Sequence, residues 1–183
     1  MRLHPDLCHA TLRATAEHYI GGCSVVKKVR IGGMMHSSGL AMVGVLAMPS
    51  RPGLAGKILS TLGEHSINVP FIVQIVDQNG HDHVVFCVSS PDLSAVLDLL
   101  QDVRYEVQAK EVVHETNVGT VSIFGPDFRQ RPGIAGQMFA ALGRVGINIK
   151  AISTSMSTIT CVIQGDRVRD ALKALEETFE FPC

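Results

Sequence analysis

Two rhythms of apolar residues alternate along this chain, one with a period near two and one near 3.6, the spacings of strands and helices. LAMVGVLAM (40–48) is short, continuous and apolar, as a buried strand is. Leu54, Ile58, Leu59 and Leu62 then fall on one face of a helix expected to start at Pro52. INVPFIVQI (67–75) puts Ile67, Val69, Phe71, Val73 and Ile75 on one side of a half-buried strand. DQNG (77–80) contains Asn-Gly, a strong hairpin signal, and leads into the strand HVVFCV (83–88). Ser90-Pro91-Asp92 opens a second helix, carried by Leu93, Val96, Leu97 and Leu100. YEVQAKEVVH (105–114) closes the series as a strand. The order βαββαβ predicts an α+β unit of the ferredoxin-like kind, an antiparallel four-stranded sheet with both helices on one face.

The chain then repeats itself. Residues 51–69 and 131–149 are identical at nine of nineteen positions with a constant offset, so the unit is duplicated. The second copy reads as a strand at 118–125, a helix from Pro132, strands at 147–155 and 158–164, and a helix after Asp166. It stops at FEFPC with no fourth strand. CSVVKKVRI (23–31) is a spare strand-like run before the first copy, and an unpaired sheet edge leaves backbone groups unsatisfied. The expectation is therefore a first unit (39–115) inserted into a second (117–181), with 24–31 completing the second sheet. An alternative has 24–31 merely padding an edge. Residues 1–23 read as a helical extension, with the helix at 3–19.

Composition narrows the classes. Of the 183 residues 46% are hydrophobic and 18% charged, mean hydropathy is +0.24 and the net charge is −1. Without a basic cluster or any Trp, a nucleic-acid partner is not expected. The start has no apolar signal core and nowhere do eighteen apolar residues run together, so neither export nor a membrane partner is expected. Cys8, Cys23, Cys87, Cys161 and Cys183 form no CxxC pair, and Cys87 and Cys161 sit in strand-like runs as reduced core residues would. The expected location is the cytoplasm.

The repeated Arg-Pro-Gly mouths carry the candidate chemistry. Pro has no amide to orphan in a first helical turn, and Gly leaves the next peptide uncovered. A bare helix start is positively polarised and suits a carboxylate. The competing structural reading is that Pro-Gly only starts a tightly packed helix, with Gly56 and Gly136 allowing close approach to the sheet.

RPGxAGxxxxxLG…IN, written twice, resembles the ACT domain, a βαββαβ module that binds amino acids and regulates metabolic enzymes. SINVPFIVQIV (66–76), RPGIAGQMFAAL (131–142), GINIKAISTS (146–155) and ALKALEETF (171–179) are similar to the paired ACT domains of bacterial aspartate kinases, over about residues 24–181. The resemblance implies side-by-side units, a fourth strand of the second unit taken from ahead of the first, and a homodimer formed through the sheets. It also implies lysine or threonine bound at domain interfaces, shifting an aspartate kinase catalytic part to a less active state. The effector-binding positions it implies are Ser50, Arg51, Pro52, Gly53, Leu54, Ala55, Gln74, Asn148, Ile149, Ser153 and Ser155. Ser50 and Met156 replace acids of the family pattern. Each lost charge weakens attraction for a cationic ligand by roughly 1–4 kcal/mol at contact distance, which favours threonine over lysine.

No glycine-rich nucleotide cradle or hydrolase motif is present, so no catalytic residue and no cofactor are expected. His81 and His83 would share one face of a strand, as in a two-histidine metal site, but without a clear third ligand the expected reading is a solvated turn. Besides the regulatory reading, a free-standing ACT sensor for another enzyme or transporter, a small metalloenzyme using His81 and His83, and a structural dimerisation module remain open.

Overall fold

The computed structural model describes residues 28–126, 128 and 131–181. The expected extension 1–23, residues 24–27 of the spare run, and Cys8, Cys23 and Cys183 lie outside them. The described elements are β1 (Val29–Arg30), β2 (Gly33–Pro49), α1 (Leu54–Glu64), β3 (Phe71–Val76), β4 (His81–Ser89), α2 (Leu93–Glu106), β5 (Glu111–Phe124), α3 (Ile134–Arg144), β6 (Ala151–Thr154), β7 (Thr158–Gln164), α4 (Val168–Thr178) and β8 (Phe179–Glu180).

Two βαββαβ units are present, and their sheets are fused. One six-stranded antiparallel sheet runs β3-β4-β2-β5-β7-β6 instead of the two separate four-stranded sheets expected. β2 and β5 are long enough to serve both halves. Gly33–Ser37 pairs with Thr120–Phe124, and Leu40–Leu46 pairs with Glu111–Val118. The strand beside β5 in the second half is thus the start of β2, not 24–31. Val29–Arg30 instead pairs in parallel with β8 as a separate two-stranded ribbon. The run MMHSS within β2 mixes two methionines with three polar residues and is largely exposed, so its pattern did not announce a strand, whereas the more apolar run ahead of it did.

Where the halves meet, each long strand carries one extra residue. The register slips between Ser37 and Leu40 on β2 and between Val118 and Glu115 on β5. Gly39 (φ 70°) and Asn117 (φ 55°) occupy those bulges in left-handed conformations that glycine and asparagine tolerate best. Each bulge reverses the alternation of faces. Met34, Val121 and Ile123 thereby point to the same side as Ala41, Val43 and Val45.

That side carries the helices. In the first half Ile58 and Leu62 of α1 and Val96, Leu100 and Val103 of α2 close over Val43, Val45, Val84 and Phe86. In the second, Met138 and Leu142 of α3 and Ala171 and Leu175 of α4 close over Val121, Ile123, Ile159 and Ile163. Full burial of each such aliphatic or aromatic side chain contributes about 1.5–3 kcal/mol. A third cluster on the helix-free side joins Leu40, Phe71, Cys87, Val118 and Val162 from both halves, and β3 and β6, though last in the strand order at either end, come into contact.

Other boundaries and facings also differ from expectation. β3 starts at Phe71 because Pro70 donates no ladder hydrogen bond. Ile67 and Val69 pack with the first helix layer, while Phe71 and Val73 face the other side, so the run 67–75 does not present one face. The segment 105–114 divides, since α2 continues to Glu106 before β5 begins at Glu111.

Candidate functional site

β2 delivers the chain into the first mouth. After Pro49 the residues Ser50, Arg51, Pro52 and Gly53 are exposed, and α1 begins only at Leu54. Pro52 is therefore outside the helix rather than at its first position. Gly53 is the cap residue, at φ 93°, and its carbonyl accepts the first helical hydrogen bond from the Lys57 amide at 2.9 Å. Gly133 repeats this in front of α3 at φ 89°. Left-handed φ is the physical reason for glycine at both positions.

Neither helix has an acid in its first turn or a side-chain cap, so the first amides of α1 and α3 are open to a ligand. A Cβ built on Gly53, Gly56, Gly133 or Gly136 would meet nothing within 4 Å. That removes the close-packing account of Gly56 and Gly136.

The eleven sequence-derived positions fall in three places. Ser50 to Ala55 form the first mouth, with Leu54 and Ala55 half-buried against the first helix layer. Gln74 lies on the same side of the sheet: it is exposed, opposite Val84 of β4, and two residues beyond Ile72, which packs with the α1 and α2 core. At the second mouth Ser155 joins Arg131, Pro132, Gly133, Ile134 and Met156 around a cavity of about 330 Å³. The Ser155 Oγ accepts the amides of Ser157 (3.4 Å) and Thr158 (3.1 Å), so it also shapes the β6–β7 turn. Arg131, Pro132 and Gly133 were not carried over individually, although the repeat itself signals them.

The remaining positions lie elsewhere. Asn148 is exposed ahead of β6, and Ser153 faces Thr160, whose hydroxyl is hydrogen-bonded to Ser122 (2.8 Å) on the helix-free side. Ile149 lines a groove of about 420 Å³ between β3 and β6, with Val73, Ile75, His83 and Ile152. Lys150 at its margin is paired with Glu115 at 2.6 Å.

Two acids of the β3–β4 hairpin escaped sequence reasoning. Asp77 accepts the amides of Asn79 and His81 through Oδ1, each at 2.8 Å, and its Oδ2 lies 3.4 Å from His81 Nδ1 and 3.3 Å from His83 Nε2. The His81 amide above all lowers the Asp77 pKa to about 2. The two imidazoles do share a side, as alternation requires, but they are engaged by this carboxylate. Among the described residues no group of three or more His, Cys, Asp or Glu is placed to hold a metal. Asp82 is 4% exposed on the helix side, and its Oδ1 has no hydrogen-bond partner among the described residues. Cys87 and Cys161 are free and buried, and burial pushes both thiols up to about 12. No helix among the described residues is long and apolar enough to cross a membrane.

Comparison with known proteins fits this geometry. A family model described as the ACT domain matches residues 41–106, and another, also described as an ACT domain, matches 121–179. The chain is thus a member of the ACT-domain family, with two such domains. Its relatives are aspartate kinases, of which it matches the ACT regulatory portion. It is 34% identical over 150 residues to an aspartate kinase of Stutzerimonas stutzeri, covering 82% of this chain and 36% of that protein. The chain spans about 36% of the length of the curated relatives it matches most strongly. Among solved structures it is similar to the ligand-free regulatory subunit of aspartate kinase from Thermus thermophilus, at 29% identity and TM-score 0.73, covering 82% of this chain and 99% of that one. It is also similar to aspartate kinase from Synechocystis, at 27% identity and TM-score 0.77, covering 82% and 27%.

Proposed function

We propose that this ACT pair is the amino-acid-sensing part of an aspartate kinase system, acting in the cytoplasm through feedback by an end product. The observation that carries the reading is the duplicated open helix mouth: a left-handed glycine cap, no acid or side-chain cap in the first turn, and open space beside both glycines of each first turn. The carboxylate of a free amino acid suits such a positively polarised end. Ser50, Arg51 and Gln74 border the first seat, while Ser155 borders the second. Asn148, Ile149 and Ser153 lie on the segment through which a neighbouring unit would complete a seat. Threonine fits better than lysine, because Ser50 and Met156 put no negative charge where a cationic side chain would need it.

The helix-free side of the sheet supports a homodimer. Ile75, on that side, is 60% exposed beside the groove between β3 and β6, an apolar rim that a second copy would cover. The effector would act by binding one arrangement of domains more tightly than another, and that difference is the regulatory free energy felt by an aspartate kinase catalytic part.

Isothermal titration of the chain against each of the twenty amino acids tests the reading. Saturable binding of threonine or lysine, and inhibition of an aspartate kinase catalytic chain only when that amino acid and this chain are both present, is the expected result. Binding of no amino acid overturns the sensor and leaves a dimerisation module.

A further inference from the structure

Asp82 is the least explained side chain of the described structure. Its Oδ1 is removed from water and has no donor among the described residues, which is costly, and native proteins seldom keep such an atom unless it has a task. Its place follows from the register. Asp82 pairs with Met48 on one side and Val76 on the other, one step from the His81–Pro49 pair that ends the ladder. Its neighbours His81 and His83 face the helix-free side, where His83 lines the groove. Asp82 therefore faces the helix side with Val84 and Met48, which belong to the α1 and α2 core. Gln74, opposite Val84, is its diagonal neighbour on that face.

Asp82 thus sits one strand over from Met48, two positions before Ser50, on the strand next to the one that leads into the open end of α1. Among the described residues no hydrogen bond or ion pair of the Ser50 or Arg51 side chain holds that loop down.

Resting on the sensor reading above, we propose that Asp82 is the acidic half of the first amino-acid seat. The first turn of α1 takes the effector's carboxylate, Asp82 takes its α-ammonium group, and Gln74 borders the same seat. A charge on the sheet thereby stands in for the one absent at Ser50. Because Asp82 Oδ1 is closed to solvent, the ligand reaches it by lifting residues 50–53, so binding favours a displaced loop, a difference of state that a regulatory domain can transmit.

The test compares threonine binding by calorimetry to wild type, Asp82→Asn, and Asp82→Asn combined with Ser50→Asp. Asp82→Asn should weaken binding at least tenfold without lowering the melting temperature, and Ser50→Asp should restore most of the loss. In wild type the 13C carboxyl resonance of Asp82 should shift on saturation with threonine and stay put with its 2-hydroxy analogue, which lacks the ammonium group. That measurement stands even if the variants fold poorly. Binding by Asp82→Asn within twofold of wild type, or an unmoved carboxyl resonance, overturns the assignment while the sensor stands. Failure of wild type to bind any amino acid overturns both.

Discussion

At the scale of single residues, the hairpin acids show what a spacing pattern misses. Asn-Gly marked the turn after β3 correctly, but the residue that fixes it is Asp77, whose Oδ1 collects two amides and whose Oδ2 faces two imidazoles. Its carboxyl titrates at about 2, below the ordinary 3.8, so the carboxylate's contribution to the folded state is complete above pH ~4 and is lost as pH falls toward 2. Hydrogen exchange at the Asn79 and His81 amides should therefore accelerate across that window, and the Asp77→Asn variant should lack the step. Equal protection of both amides from pH 5 to pH 2 in the wild-type protein would contradict this role. Asp82 was equally invisible, because an acid inside a strand ordinarily reads as solvent-facing. Its burial follows from its place on the helix side of the sheet, opposite Met48, which its neighbours in the chain do not announce.

At the scale of elements, helices were legible and sheet edges were not. The 3.6-residue rhythm located α1, α2 and α4 and the repeat located α3, and each buries one stripe, Ile58 and Leu62 in α1 and Met138 and Leu142 in α3. The start of β2 was missed because Met34 to Ser38 present mostly polar, exposed side chains and are held by pairing with Thr120–Phe124. The bulges at Gly39 and Asn117 set which side each half shows to its helices, and no periodicity can reveal a reversal of that kind. The Arg-Pro-Gly signature was legible as a helix mouth, with one change of role: Gly53 caps the helix and Pro52 only leads to it. Gly53→Ala should cost about 1–2 kcal/mol, since an L side chain resists left-handed φ even where space is open. Chemical denaturation checks this, and a loss below ~0.3 kcal/mol would show that the cap adopts another conformation.

At the scale of the molecule, the duplicated sequence made the two-unit plan readable, while the fusion of both sheets through β2 and β5 was not. The shared ladder would tie the two proposed seats mechanically, because β2 leads into α1 in the first half and pairs with Thr120–Phe124 in the second. On the proposed pairing of two copies through the helix-free side, Ile75→Asp should move the sedimentation coefficient from dimer to monomer without unfolding the protein. An unchanged dimer would place the contact elsewhere. The account as a whole rests on a small zwitterion settling at the first helix mouth, and amide chemical-shift mapping of the isotopically labelled chain with threonine, then lysine, tests that most directly. The prediction is saturable shifts, largest at Leu54, Ala55, Gly56, Gln74 and Asp82. Spectra left unchanged by both, or shifts confined to Ile149–Ile152 in the groove between β3 and β6, would contradict it.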